Sequence, residues 1–427
     1  MITLALLLVS TPPDTVTLGW LHARAAATDP RHAQDALLAR AAAQRTAALQ
    51  TERRPQLAVR AQATHQSDVT RVSLPGAAVS PPMPPRDRWQ ALLQVEQSIY
   101  DGGSTSGRVA LESARLLEQH AGTAVALHAL RGEVDAAFFG AWLAQERLAE
   151  LTAVVTDFDA RLVELRARVR EGAALPRDTA IVAAERLGVA QSIAALTARR
   201  GAALAVLSRL ADTMLAETTV LAVPDLRARV EALAGGARDT LRARPEFAAL
   251  HAAEARLALE RSLLAVERRP TLALFADAGV GRPGLNQFER DPAAFWQGGI
   301  RMSWRPTAWG ATARRADALA IQAEIIATEA QALAARLDRA VAADLALIAH
   351  LREGFVDDSA LVALREEIER TARAELAEGV ITAARYVEVR NDLALARVAL
   401  RRHRTELAEA EAAFLRTLGI AIPDGLE

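Results

Sequence analysis

The charged residues best placed to act together crowd around two glycines. Arg170, Glu171, Arg177 and Asp178 flank Gly172, and Glu375, Glu378 and Arg385 flank Gly379. Guanidinium and carboxylate groups at this spacing form ion pairs rather than a catalytic set. Between neighbouring helices such pairs would hold a closed end shut. The alternative is helix-end charge solvated by water, because an exposed pair contributes only ~0–1 kcal/mol.

Other chemistry is scarce. All 51 basic residues are Arg, so no Lys is present to complete a glycine-rich phosphate loop. Cysteine is absent, which excludes disulfides, thiolate metal sites and a lipid-anchored Cys. No His-Glu-x-x-His zinc motif occurs. His120 and His128 lie about two turns apart on one helix, which reads as a solvated or packed pair rather than a metal site. Asp357-Asp358, Glu366-Glu367 and Arg401-Arg402 read as solvated helix faces. A net charge of −1 gives no bulk attraction to nucleic acid. The expectation is a protein with no catalytic residue, metal, cofactor or nucleic-acid partner.

The elements that carry the two charge clusters occur twice, the second copy 207 residues after the first. Trp89-Gln90 recurs as Trp296-Gln297, Gly103 as Gly310, Arg108 as Arg315 and Glu171-Gly172 as Glu378-Gly379. Upstream, Glu52-Arg53-Arg54-Pro55-Gln56-Leu57 recurs as Glu267-Arg268-Arg269-Pro270-Thr271-Leu272 at an offset of 215, so the intervening loop is shorter in copy two. A long internal duplication fixes architecture before any single residue does. The repeats span 14–222 and 223–420, with a tail at 421–427. Residues 1–13 read as a signal peptide whose apolar core is Ile2–Val9 and which lacks the usual basic start. No later window offers the 18 consecutive apolar residues of a spanning helix.

Period assigns the elements. Residues 17–53 predict one helix. From Leu57 the pattern alternates, with Leu57, Val59, Ala61 and Ala63 opposite Gln56, Arg60, Gln62 and Thr64: a strand with one apolar and one wet face. Five prolines within 67–87 exclude regular structure there. A second strand places Trp89, Ala91, Leu93 and Val95 against Gln90, Gln94, Glu96 and Ser98, and Asp101-Gly102-Gly103-Ser104 ends it. A helix then covers 105–171, about 100 Å at 1.5 Å per residue, before a turn at Gly172 and a shorter helix over 177–213. Copy two repeats the plan: helix 246–268, a strand with Leu272, Leu274, Ala276, Ala278 and Val280 on one face, and a loop at 282–293. A strand follows with Trp296, Gly298, Ile300, Met302 and Trp304 on one face. A long helix spans 311–378 and a shorter one 382–418, with Thr382 as N-cap. Spacing such as Leu333, Leu337, Val341, Leu345 and Ile348 supports coiled-coil packing.

Four strands with one apolar face each fit a bilayer-spanning sheet, apolar outward and polar inward. Lipid cannot satisfy open sheet edges, so the barrel must close, and four strands are too few. Several chains must contribute; three would give twelve strands. Trp89, Trp296, Trp304 and Trp309 sit where interfacial aromatics belong. A soluble α/β domain is the rival, but helices this long do not pack on a small sheet.

At this point the layout resembles the TolC family of outer-membrane efflux channels over about 15–420. The resemblance rests on the duplicated strand openings Arg54-Pro55-Gln56-Leu57 and Arg269-Pro270-Thr271-Leu272, and on the strand exit Gln97-Ser98-Ile99-Tyr100-Asp101-Gly102-Gly103. The turns at Gly172 and Gly379 and the terminal Leu418-Gly419 add to it. It implies a mainly α homotrimer: a twelve-stranded outer-membrane barrel continuing into a long antiparallel coiled-coil tunnel through the periplasm. The closed tip of that tunnel would open when a periplasmic adaptor docks, itself coupled to an inner-membrane pump. Tip contacts are expected at Glu171, Gly172, Leu175, Arg177, Asp178, Glu378, Gly379, Thr382 and Arg385. The chain departs from the family's Tyr-x-x-Gly turn at Val169 and Leu376, and Leu175 replaces the polar cap in copy one. Two other functions compete. A periplasmic adaptor carries one hairpin between small β domains, whereas two hairpins are read here. A coiled-coil scaffold needs no alternating strands.

Overall fold

A computed structural model describes residues 15–70, 83–223, 225–305 and 309–424. The expected signal peptide, part of the proline-rich loop and the end of the tail lie outside these residues. The chain forms two compact units, and each draws on both sequence repeats.

One unit holds residues 36–121 and 249–329. Its centre is one antiparallel sheet of β2 (Gln56–His65), β3 (Asp87–Tyr100), β5 (Thr271–Arg282) and β6 (Ala293–Ser303), in that spatial order. Each strand joins a helix at one end and a hairpin loop at the other. The helices are the latter part of α2 (Pro30–Thr51), the start of α3 (Ser104–Arg170), most of α7 (Pro245–Val266) and the start of α8 (Trp309–Ala377). Asp101 makes the β3-to-α3 corner by accepting hydrogen bonds from the amides of Gly103 (2.9 Å) and Thr105 (2.8 Å). Burial alone would raise its pKa, but those hydrogen bonds and the charge of Arg53 outweigh it and hold the carboxyl at about 2.

The other unit contains residues up to 35, 122–248 and from 330 onward. Here α3 and α8 run to their ends and turn into α4 (Pro176–Leu210) and α9 (Ala383–Thr417). Gly172 and Gly379 have φ of +75° and +74°, a left-handed conformation that costs Gly little. In both turns the residue after the glycine donates across it, Ala173 to Arg168 O and Val380 to Glu375 O, each at 2.8 Å. The duplication is thus carried into matching hydrogen bonds. The core gathers Val16, Leu18, Phe138, Phe139, Leu207 and Phe414. Phe139 meets Phe138 and Trp142 edge-on at 5.4 and 6.3 Å.

One expectation changes, and four short elements are new. The single helix over 17–53 is instead α1 (Leu18–Thr28) and α2, broken at Asp29, which is extended at φ −61°, ψ 129°. Pro30 has no N–H and disfavours helical geometry in the residue before it. A short parallel pair, β1 (Thr15–Thr17) with β4 (Val220–Ala222), was invisible in the sequence because three residues carry no period. Two short helices, α5 (Arg227–Ala234) and α6 (Ala237–Leu241), fill the link to α7.

Candidate functional site

Sheet register turns the alternating sequence into two faces of different chemistry. On one face the cross-strand rows are Leu57–Val95–Ala276–Gly298, Val59–Leu93–Ala278–Trp296 and Ala61–Ala91–Val280–Ala294. These rows contain no polar side chain, yet they are open to the surface: Val59 is 79% exposed and Trp296 78%. The opposite face carries Gln62, Gln90, Arg60, Gln56 and Glu96, and a row Ala58–Gln94–Asp277–Gln297. Gln297 Nε2 donates to Asp277 Oδ2 at 2.8 Å, and the Arg301 guanidinium lies 4.7 Å from the Phe275 ring centre while reaching Glu96 at 3.4 Å. One face is therefore wholly apolar across its complete rows, and the hydrogen-bonded network lies on the other, interleaved with Leu92, Phe275 and Phe295. This inverts a water-soluble sheet and matches a strand set with lipid outside.

Trp89 and Trp296 lie on the outward face toward the hairpin loops. Trp304 lies just past β6 at the helix end, where its Nε1 donates to Arg268 O at 3.1 Å. Eight residues separate Trp296 from Trp304, ~26 Å along a strand at ~3.3 Å per residue, comparable to an apolar band ~25 Å tall. Trp309 opens α8.

The residues expected at the helical tips take local partners. Glu171, Arg177, Glu378 and Gly379 are exposed. Leu175 is the N-cap of α4 and supplies no side-chain acceptor; instead Asp178 Oδ2 accepts the Leu175 amide at 3.2 Å, half of a capping box. Arg177 lies 4.0 Å from Asp178. Thr382 Oγ1 accepts from the Arg385 amide at 3.3 Å, as its position predicted. Arg385 pairs with Glu388 on its own helix at 2.8 Å.

The links between helices are made further in, mostly by residues the sequence did not single out. Tyr386, fully buried on α9, sets its hydroxyl 3.0 Å from Glu369 of α8 and 3.1 Å from Asp157 of α3. One proton thus faces two carboxylates. Arg390, one turn on, donates to Asp157 at 3.2 Å; Arg373 of α8 reaches Glu369 at 2.8 Å and Asp157 at 3.5 Å. Arg161 of α3 stacks its guanidinium 4.9 Å from the Tyr386 ring centre. Burial first, then the charges of Asp157 and Glu369, push the Tyr386 pKa up to about 12. Nearer the turn, Arg168 donates to the carbonyls of Leu376 (3.2 Å) and Ala377 (2.9 Å), tying the end of α3 to the end of α8. Arg397 joins Glu366 (2.7 Å) to Glu150 (3.4 Å), and Arg401 reaches Glu146 at 2.6 Å. Glu366 and Arg401 are therefore tied across helices rather than solvated. The available signal was Tyr386 and Arg390 at i and i+4 on an otherwise apolar helix face. Asp157 and Glu369 had none, since their partners lie far away in sequence. His128 is buried, which pulls its imidazole pKa down.

This arrangement has solved counterparts. CusC, described in terms of conformational changes accompanying folding and transmembrane channel formation, matches with a TM-score of 0.70 and 13% identity, over 94% of this chain and 92% of its own. The outer membrane protein VceC of Vibrio cholerae matches at 0.66 and 13% identity, over 95% of this chain and 97% of its own. The open state of the Neisseria gonorrhoeae MtrE outer membrane channel matches at 0.66 and 15% identity, over 96% and 90%. This chain has the fold of the outer-membrane channels. No protein-family model matches it, and no curated protein matches it by sequence.

Proposed function

We propose that the protein is an outer-membrane efflux channel: a passive duct of a tripartite efflux or type I secretion system, with its helices forming a periplasmic tunnel. The observation that carries this reading is the four-stranded sheet with exposed, wholly apolar rows on one face and the polar network on the other. Such a sheet needs lipid outside and water inside, and four strands close around a pore only if several copies contribute. A homotrimer supplies twelve. A soluble scaffold would leave the apolar rows bare, and an adaptor with one hairpin does not fit two.

In this reading the Asp157–Tyr386–Glu369–Arg390 network acts as the clamp that holds the tunnel end closed, and the turns at Gly172 and Gly379 present Glu171, Leu175, Arg177, Asp178, Glu378, Thr382 and Arg385 to a periplasmic adaptor. A groove of about 430 Å³ beside Arg385, lined by Leu364, Ile368, Ile381 and Val389, supports that role. Flux would be driven by the inner-membrane pump, and the chain itself would do no covalent chemistry.

The test is separation of inner and outer membranes from cells expressing the full chain, followed by conductance in planar bilayers. Recovery in the outer-membrane fraction with a low-conductance channel is expected. Recovery as soluble protein, also when exported behind a proven signal peptide, would reject the reading.

A further inference from the structure

The three rows of the sheet's outward face that cross all four strands are apolar. In the next row toward the hairpin loops, which reaches β2, β3 and β5, Ala63 pairs with Trp89 and Trp89 with Arg282, so an arginine is the cross-strand partner of an indole on the same face. Arg86, just before β3, and Arg290, in the β5–β6 loop, line the same cavity of about 550 Å³ as Arg282. Its apolar wall includes Met83 and Pro84. The cavity's one carboxylate, Asp87, is taken by His65 at 2.7 Å. Arg282 spends only its Nε, on the carbonyl of Arg290 at 2.5 Å, which leaves both terminal NH₂ groups free to donate. Among the described residues none of the three arginines has a carboxylate within ion-pair distance.

Three guanidiniums with no ion-paired acid, one of them on the cross-strand partner of Trp89 at the end of the apolar rows, suit a ligand that is anionic at one end and apolar along its length. Guanidinium forks match phosphate oxygens two at a time. Basic residues at a membrane rim attract anionic lipid, each worth a several-fold gain in binding. We propose that Arg86, Arg282 and Arg290 bind the phosphate of an anionic lipid headgroup, in the leaflet farther from the helices, while its chains lie along the Trp89 rows. This rests on the reading of the sheet as membrane-inserted.

The test uses the full chain in phosphatidylcholine vesicles carrying a minor fraction of a diphosphorylated glycolipid, or of the same glycolipid stripped of phosphate. The lipid retained after detergent extraction is read by native mass spectrometry. The wild type is expected to retain the phosphorylated form at least about tenfold better than the R86Q/R282Q/R290Q variant. The stripped form should be retained equally and weakly by both. Arg60→Gln, on the inward face, should behave as wild type. Equal retention by the triple variant, with both proteins inserted, overturns the site. So does equal loss in Arg60→Gln, or displacement of the lipid by millimolar inorganic phosphate, which would mark a free-anion site. If wild type and variant both stay out of the vesicles, the membrane reading fails and the proposal falls with it.

Discussion

α4 and α9 are counterparts in the duplication, each 35 residues long and each entered through the same glycine turn, yet they meet their surroundings differently. α9 buries residues along its whole length, including Tyr386, Arg390, Phe414 and Leu415. α4 buries Val182, Leu196, Leu204 and Leu207 and leaves most of its apolar surface open. An 18-residue window of α4 has a mean hydropathy of 1.2, although no unbroken apolar run marks it. At matching positions Leu187 of α4 is 58% exposed and Ala394 of α9 is 8% exposed. Tyr386 and Arg390 correspond to Thr179 and Ala183, so copy one lacks the buried phenol and guanidinium, and α4 is linked to α3 there by the exposed pair Arg186–Asp159 at 2.5 Å. Duplication preserved length and turn, while contact chemistry diverged: α9 is committed to its own chain. We read the open face of α4 as the surface left for another copy.

The largest test of this contrast is Arg390→Ala. Removing one member of a buried pair costs ~3–5 kcal/mol, so the closed end should loosen and bilayer leak conductance should rise strongly. Ala183→Ser, at the matching place in α4, should leave conductance unchanged. Equal leak in both variants would remove the clamp from Arg390.

Next is Ala394→Glu against Leu187→Glu. A carboxylate forced into the packed α9 site should destabilise the fold by ~2–4 kcal/mol, visible as a lower denaturation midpoint. Leu187→Glu should keep the midpoint of the monomer and instead weaken trimer recovery on size-exclusion chromatography. If Leu187→Glu lowers the midpoint and leaves assembly intact, the open face of α4 is not an interface.

Tyr386→Phe should cost ~1–3 kcal/mol by leaving Asp157 and Glu369 short of a donor, whereas Thr179→Ala should cost a few tenths. The phenol also predicts a pH limit. Its folded pKa, raised to about 12 by burial and the two carboxylates, exceeds the unfolded value of 10.0. The unfolded chain therefore loses its proton first, so this contribution is complete below about pH 10 and disappears as pH climbs to about 12. A wild-type minus Tyr386→Phe difference titration of phenolate absorbance should show a midpoint near the upper value.

The smallest effect separates the two caps. Thr382→Ala should cost ~1 kcal/mol through loss of an N-cap oxygen. Asp178→Ala should cost less, because the Leu175 amide it satisfies is open to water. Helicity melts of the two variants would rank them. Both lie at the proposed adaptor-docking tips, so their conductance also tests whether the tip charges, rather than the inner network, set the leak.

Most of the fold was legible. The four strands, the two long and two shorter helices and both turns stand within a few residues of where period and glycine placed them, because those signals are local. Asp29 escaped because one extended residue before Pro30 barely disturbs a helical pattern. β1 and β4 escaped because each is three residues long. The site was legible only in part. Thr382 was found because capping acts over three residues. Within the chain Asp178 and Arg385 take local partners, and helix packing brings distant charges together at Asp157, Glu369, Tyr386 and Arg390.

The sequence by itself determined what repeats within one element or recurs between copies: strand faces, helix lengths, turn glycines and the duplication. Only the tertiary structure decided which carboxylate meets which guanidinium, which of two equal helices is buried, and which cross-strand row ends in Arg282 beside Trp89. Backbone geometry is set by neighbours a few residues away. Tyr386 and Asp157 are 229 residues apart in the chain, and only the docking of α9 against α3 brings the hydroxyl within 3.1 Å of the carboxylate.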